Sequence, residues 1–483
     1  MKRAVSRRDF LKFTVGAIGA GLLASCAPAA APTKAPEATK APAQAEATKA
    51  PEATKAPEAT QPAAAGGKKE LILWGLKYDP HINRYNAMAK AFGEKTGVKV
   101  NVQPQDDPFG KPLVALAAGN APDVACVMGK GLPPYLVKKA VVDLTDLVYK
   151  AIGTDIEKDW FGDGIPCYTY EGKIYGVPTE VSGISVAACW PTNDLPAAEA
   201  AKYPPKNGKK QMDSYEQMWE LAKKLQIEKD GKVIRYGISS AGWEFSNWSS
   251  IVHQLGRKWW DPEKKVFDLD NEDGITAFQL LAEKPVKMGI EAELGDTQTN
   301  LAQQGKVAIA RGNVAVMFFL KEIDMWFEPF IPPLADPSKP PKFMGEGGWG
   351  FITLSKVANP EGAIEFLKWA ATFDGQKAWL EAYPGNYIWL GPLRKTLELP
   401  MFQKNGDKYH DVIIDMNMTV AEMQPYQTFF GGLYGYIGQV ESACATLCSE
   451  IRQGKRTSED AAKEFQKMAT NQYEQWKSDM AKQ

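Results

Sequence analysis

Residues 27–67 contain no valine, isoleucine, leucine, methionine, aromatic residue or cysteine. They are almost wholly Ala, Pro, Thr, Lys, Glu and Gln, and Lys-Ala-Pro-Glu-Ala-Thr recurs from Lys34, Lys49 and Lys55. With no apolar side chains to bury, nothing offsets the entropy lost on folding. Frequent proline favours an extended chain rising about 3.1 Å per residue, a reach on the order of 100 Å. The fold is therefore expected to begin at residue 68. The 416 residues from there onward suffice for a large core and suggest two lobes.

The stretch before the linker reads as an address. Ser6-Arg7-Arg8-Asp9-Phe10-Leu11-Lys12 sets a twin arginine before a short apolar run, Phe13 to Ser25. The run is too short to span a bilayer, which needs about 20 apolar residues, and it has the layout of a secretion signal. Leu23-Ala24-Ser25-Cys26 resembles the lipobox of bacterial lipoproteins, in which the cysteine is acylated and becomes the mature N-terminus. The resemblance implies lipidation at Cys26 and a protein tethered to the outer face of the cell membrane, extracellular or periplasmic. A plain N-terminal anchor is the alternative.

Charge excludes one class of partner. The chain has 57 basic and 58 acidic residues, and residues 1–25 hold five of the former and one of the latter, leaving 52 against 57. A mildly acidic body without a basic patch interleaved with aromatics argues against nucleic acid. The cysteines after Cys26 (Cys126, Cys167, Cys189, Cys444 and Cys448) are odd in number and scattered, so no disulfide framework is expected. Cys444 and Cys448 lie four apart on an expected helix, but the three histidines, His81, His253 and His410, are far from them in sequence. The pair reads as buried small hydrophobes, with no metal and no cofactor expected.

Pattern along the body is α/β. Glu70 to Trp74 reads as a strand, and Ile82 to Lys95 as a helix with Tyr85, Met88, Ala89 and Phe92 on one face. Val98 to Val102 alternates as a second strand. Strand, crossover helix and strand favour a parallel sheet. A helix from Lys111 to Ala118 and a strand from Asp123 to Met128 extend it. Asp213-Ser214-Tyr215-Glu216 opens a helix to Ile227, Asn359-Pro360-Glu361 another to Thr372, and Thr457-Ser458-Glu459-Asp460 the run to Gln475.

These segments together resemble the family 1 extracellular solute-binding proteins, the maltose-binding-protein-like receptors of ATP-driven importers. The similar residues are Leu71 to Trp74, Phe92 to Val100, Leu116 to Val124, Tyr170 to Glu180, Asn193-Asp194-Leu195, Gly305 to Ala308, Gly347 to Gly350 and Pro360 to Lys368, in that order. The resemblance implies a two-lobed periplasmic-binding-protein fold (type II) with the ligand in a cleft between lobes. It places lobe one at 68–179 plus 347–392 and lobe two at 180–346 plus 393–483, after the signal at 1–26 and the linker at 27–67. It also implies a monomer that closes on a small-molecule solute and delivers it to the transmembrane subunits of an ABC permease.

Trp243-Glu244-Phe245-Ser246-Asn247-Trp248 sets two aromatic plates beside a carboxylate and an amide, a combination suited to the C–H faces and hydroxyl rims of sugars. Trp243, Glu244 and Trp248 are thus candidate ligand residues, although each Trp would fit a core equally well. Lys77, Tyr78 and Asp79 follow the first strand, where the family places polar contacts; an exposed turn is the alternative. Glu180 stands at the first hinge crossing. Trp349, Tyr387, Tyr426, Phe430 and Tyr434 are aromatic candidates on later cleft segments. Two departures from sugar-binding relatives bring Arg311 and Lys130 to the cleft. Either would meet an anionic group or be a solvated surface charge. A carbohydrate is the leading solute, and an acidic or non-sugar solute is the alternative. A secreted carbohydrate-active enzyme is a more remote one, since no nucleophile elbow, zinc motif or phosphate loop occurs.

Overall fold

The computed structural model describes residues 70–482 apart from 163, 182–185, 190–211, 262, 313–327, 340–341, 346–347, 383–389, 424–426 and 430–434. Among the sequence candidates, Cys26, Tyr387, Tyr426, Phe430 and Tyr434 lie outside the described residues, as do the signal and the linker.

The first sheet grows from β1 (Glu70–Leu76), whose alternate residues Leu71 and Leu73 are fully buried. Helix α1 (Asp79–Thr96) carries Pro80 in its first turn and ends where Gly97 adopts φ 74°, its N–H returning to the Gly93 carbonyl. It buries Tyr85, Met88 and Phe92, as the 3.6-residue pattern requires, and also His81 and Arg84. Strand β2 (Lys99–Gln105) then pairs parallel with β1, Leu71 opposite Val100. After α2 (Lys111–Ala117), β3 (Val124–Met128) pairs parallel with β1 on its other side. A short helix, α3 (Pro133–Val137), and a two-residue strand, β4 (Val177–Pro178), complete this stretch.

The second sheet uses β5 (Val186–Cys189), then α4 (Tyr215–Leu225), β6 (Ile227–Lys229) and β7 (Lys232–Ser239). Ser214 caps α4 by accepting from the Gln217 N–H, and Gln217 reaches back to the Asp213 N–H, satisfying two donors at the helix start. Helices α5 (Glu244–Gln254), α6 (Glu272–Phe278) and α7 (Gln298–Gln303) lead to β8 (Val307–Gly312) and β9 (Glu328–Phe330). Every residue of β8 is buried, as expected of a central strand. The order is β9-β5-β8-β7-β6, with β7 and β8 parallel and β5 antiparallel to β8.

Strand β10 (Trp349–Ile352) returns to the first sheet, whose order is β2-β1-β3-β10-β4. It runs antiparallel to both β3 and β4, so the all-parallel expectation fails at this edge. The physical reason is the route: β10 enters from the end at which β3 finishes. Helix α8 (Pro360–Ala370) is capped by Asn359, which accepts from the Gly362 N–H. Helices α9 (Phe373–Glu381), α10 (Lys408–Met423), α11 (Ile437–Arg452) and α12 (Ser458–Ala481) follow. Residues 393–402, given to lobe two by the resemblance, pack with the core of the first sheet: Leu393 bridges Trp160, and Arg394 lies over the Phe161 ring. Cys444 and Cys448 are fully buried in the second core. Among the described residues no helix is long and apolar enough to cross a membrane.

Candidate functional site

Two connections define where a ligand can sit. The chain leaves the carboxyl end of β4 at Pro178 and enters β5 at Val186, which lies opposite Gly312, the carboxyl end of β8. Later it leaves β9 at Phe330 and enters β10 at Trp349, opposite Met128 at the carboxyl end of β3. Seven residues span at most about 25 Å, so the first connection holds the two carboxyl edges close together. Loops beyond strand carboxyl ends are where open α/β sheets bind ligands.

On the first edge, Trp349 and Phe109 form a tilted aromatic pair with ring centroids 5.7 Å apart. Phe109 is one of the few exposed large hydrophobics among the described residues, and the Tyr135 hydroxyl donates to its carbonyl at 2.7 Å, which fixes the loop. Trp349 also meets the edge of His81, with centroids 5.1 Å apart. Behind His81 lies a buried polar cluster. Glu180 Oε1 is 3.5 Å from Arg84 Nη1 and 3.9 Å from His81 Nε2. Arg84 is itself stacked over Trp379 at 5.3 Å. Burial pushes the Glu180 carboxyl up to about 7 although Arg84 pulls it down, and burial with Arg84 lowers His81, which stays neutral.

This cluster makes stability depend on pH. The folded carboxyl of Glu180 lies above its ordinary 4.5, so the folded state binds more protons between those values. Its contribution is fully present below about 4.5 and is lost as pH rises through about 7. Urea titrations from pH 5 to 8 should show stability falling, on the order of 1–3 kcal/mol of the fall being due to Glu180. Glu180→Gln should remove that part and leave the part due to the similarly raised Glu291. An unchanged slope in the glutamine variant would remove Glu180 from the account.

On the second edge, the turn after β7 carries Trp243, half-buried at the start of α5. The N–H of Gln298 is anchored on the Ala241 carbonyl at 2.9 Å. A Cβ on Gly312 would lie 2.3 Å from Gln298 Nε2 and 3.2 Å from Trp243 Cδ1, so glycine there lets amide and indole converge. A groove of about 740 Å³ also opens near Arg257 and Trp260. Arg257 there is already paired with Asp268 at 2.8 Å and Asp273 at 3.0 Å, and the groove lies off both carboxyl edges.

Residues 87–407 match the family described as bacterial extracellular solute-binding protein. The chain belongs to that family. No curated protein matches it. Among solved structures, the maltose/maltodextrin-binding domain MalE from Bdellovibrio bacteriovorus, bound to maltotriose, is 17% identical with a TM-score of 0.64, covering 84% of this chain and 100% of its own. An ABC substrate-binding protein from Listeria monocytogenes, in complex with cycloalternan, is 16% identical with a TM-score of 0.66, over 83% and 98%. The GacH receptor of Streptomyces glaucescens, solved unliganded and with acarbose, is 17% identical with a TM-score of 0.62, over 84% and 99%. The fold of this solute-binding protein is thus the two-lobed, maltose-binding-protein-like one.

In this solute-binding protein the sequence candidates are distributed unevenly. Glu180 and Trp349 come together through His81, and Tyr78 joins them, its ring 5.7 Å from the same histidine. Lys77 is exposed and pairs with Asp106 at 3.2 Å, while Asp79 is exposed in the first turn of α1. Lys130 is not a free cation: its Nζ is 3.1 Å from Glu441 Oε2 on α11. Arg311 is buried, donates to the Tyr215 hydroxyl at 2.9 Å and stacks on that ring. Two candidates are corrected outright. Trp248 is fully buried among Phe245, Phe278 and Phe465, its Nε1 donating to the Gly274 carbonyl. Glu244 is buried and holds Arg452 at 3.0 Å. Phe109, His81, Arg84 and Gln298 were not singled out in the sequence. Phe109 alone had a signal, an aromatic beside Asp106-Asp107 just past an expected strand.

Proposed function

We propose that this exported protein captures a carbohydrate between its two carboxyl edges and presents it, as a monomer, to the transmembrane subunits of an ABC permease. In this reading Cys26 carries a lipid that holds it at the outer face of the membrane, and residues 27–67 are the tether. The observation that supports a sugar most is the Phe109–Trp349 pair on one edge with half-buried Trp243 on the other. Aromatic faces take up the apolar faces of pyranose rings, and neighbouring polar groups take up hydroxyls. The oligosaccharides bound by the structurally similar proteins support the same class. An acidic solute is less well served, since Lys130 and Arg311 are already engaged by Glu441 and Tyr215. The role is capture, without turnover.

Calorimetric titration of the full chain against neutral oligosaccharides, polyols, sugar acids and sugar phosphates tests this. Saturable heat is expected with a neutral sugar, with the sugar recovered unchanged. Binding confined to the acids or phosphates would overturn the carbohydrate assignment. Trp349→Ala is expected to weaken sugar binding by about 1–3 kcal/mol, as for a stacked contact aromatic. Unaltered affinity in that variant would remove the first edge from the site.

A further inference from the structure

Gln298 is fully buried, yet neither Nε2 nor Oε1 has a hydrogen-bond partner among the described residues. Leaving both ends of a primary amide unpaired in an interior is costly, and native structures seldom keep it without a use. Its position is equally specific. It is the first residue of α7, tied by its N–H to the turn after β7, and its amide lies against Gly312 at the carboxyl end of β8. Gly242, at φ 92°, brings the backbone of the same turn near Oε1: a Cβ there would lie 3.5 Å from it. The indole of Trp243 lies against Gly312 as well: a Cβ there would be 3.2 Å from its Cδ1. Two glycines and one aromatic thus surround an unpaired donor–acceptor pair on the ligand-binding edge of lobe two.

We infer that Gln298 is a specificity-determining residue, whose amide reads a pair of neutral hydroxyls on a sugar ring packed against Trp243. The inference rests on the carbohydrate reading above and names the group that selects within it. The chemistry of the amide decides the ligand class. It offers two donor hydrogens and an acceptor oxygen side by side, and each hydroxyl is both donor and acceptor. A vicinal diol satisfies both ends at once. A carboxylate or phosphate offers only acceptors and would leave Oε1 facing negative charge, whereas an ammonium would leave Nε2 unpaired. Recognition of hydroxyls by buried polar groups also explains how such a site would reject deoxy analogues, which leave those groups unpaired again.

The test compares the full-length wild-type chain with Gln298→Leu, an apolar side chain of similar volume. Both are titrated with glucose, xylose, maltotriose and cellotriose, then with monodeoxy analogues of whichever sugar binds. Wild type should bind at least one, and the leucine variant should bind that sugar about 10- to 100-fold more weakly. Its thermal midpoint should hold or rise, since two unpaired polar atoms leave the interior. The deoxy analogue that weakens wild-type binding should cost the variant nothing further. Equal affinity in the two proteins, or a destabilised variant with unchanged affinity, would overturn the inference and make the amide structural. Absence of binding to any sugar by wild type would overturn the carbohydrate reading itself and this inference with it. If the leucine variant does not fold, Gln298→Met, flexible and apolar, replaces it in the same comparison.

Discussion

Arg452→Met is expected to destabilise the protein by about 3–5 kcal/mol near pH 8, the loss typical of removing one partner from a buried ion pair. Arg452 ends α11 and is buried, with Nε 3.1 Å from Glu291, Nη1 3.0 Å from Glu244 and 3.7 Å from Glu293, and Nη2 donating to Ser240 Oγ at 3.1 Å. The carboxyl end of a helix also favours the positive charge. Burial opposes that charge, but Glu291 and Glu244 hold the guanidinium protonated. Methionine fills similar space and leaves Glu244 and Glu291 facing each other without a counter-ion. Burial already pushes the Glu291 carboxyl up to about 7 in the intact network. Without Arg452 it should rise further, so the folded variant should hold protons that the unfolded chain releases. The variant should therefore regain stability as pH falls toward 5, and its deficit should shrink there. Chemical denaturation at pH 5, 6.5 and 8 measures this. A loss below about 1 kcal/mol at pH 8 would show that the network contributes little.

Trp248→Ala should cost about 3–5 kcal/mol through the cavity it leaves, while the folded fraction keeps its affinity for the solute. Trp243→Ala should do the reverse, losing about 1–3 kcal/mol of binding with little change in stability. The contrast follows from position. Trp248 is stacked on Phe245 and faces Phe278 and Phe465, whose own ring lies on α12 at the far end of the chain. Trp243 precedes the helix at the carboxyl edge. Denaturant midpoints and calorimetric affinities for both variants decide the point. Lost affinity with intact stability in Trp248→Ala would put that ring back in the ligand site.

The misreading of Trp248 shows where sequence patterns stop. Two tryptophans five residues apart look like paired plates if the segment is a turn. Here Trp243 precedes the helix, with φ −135° and ψ 25°, and Trp248 lies inside it, so the spacing does not set the two rings side by side. Glu244 likewise looks like a cleft carboxylate until Arg452, 208 residues away, is brought against it. Lys130 meets Glu441 across 311 residues. The surroundings of the unpaired Gln298 amide come from two separate segments, the Gly242-Trp243 turn and Gly312.

Local features were legible because local physics sets them. The β1-α1-β2 unit, the caps at Ser214, Asn359 and Thr457, and the stop at Gly97 each depend on side chains within a few residues. The order of family-like segments then carried the two-lobed architecture. Tertiary structure alone decided which charged and aromatic groups are partnered and which stand at the carboxyl edges of the sheets. Those outcomes depend on contacts closed over hundreds of residues, and neither hydrophobic period nor local propensity encodes which distant side chain arrives.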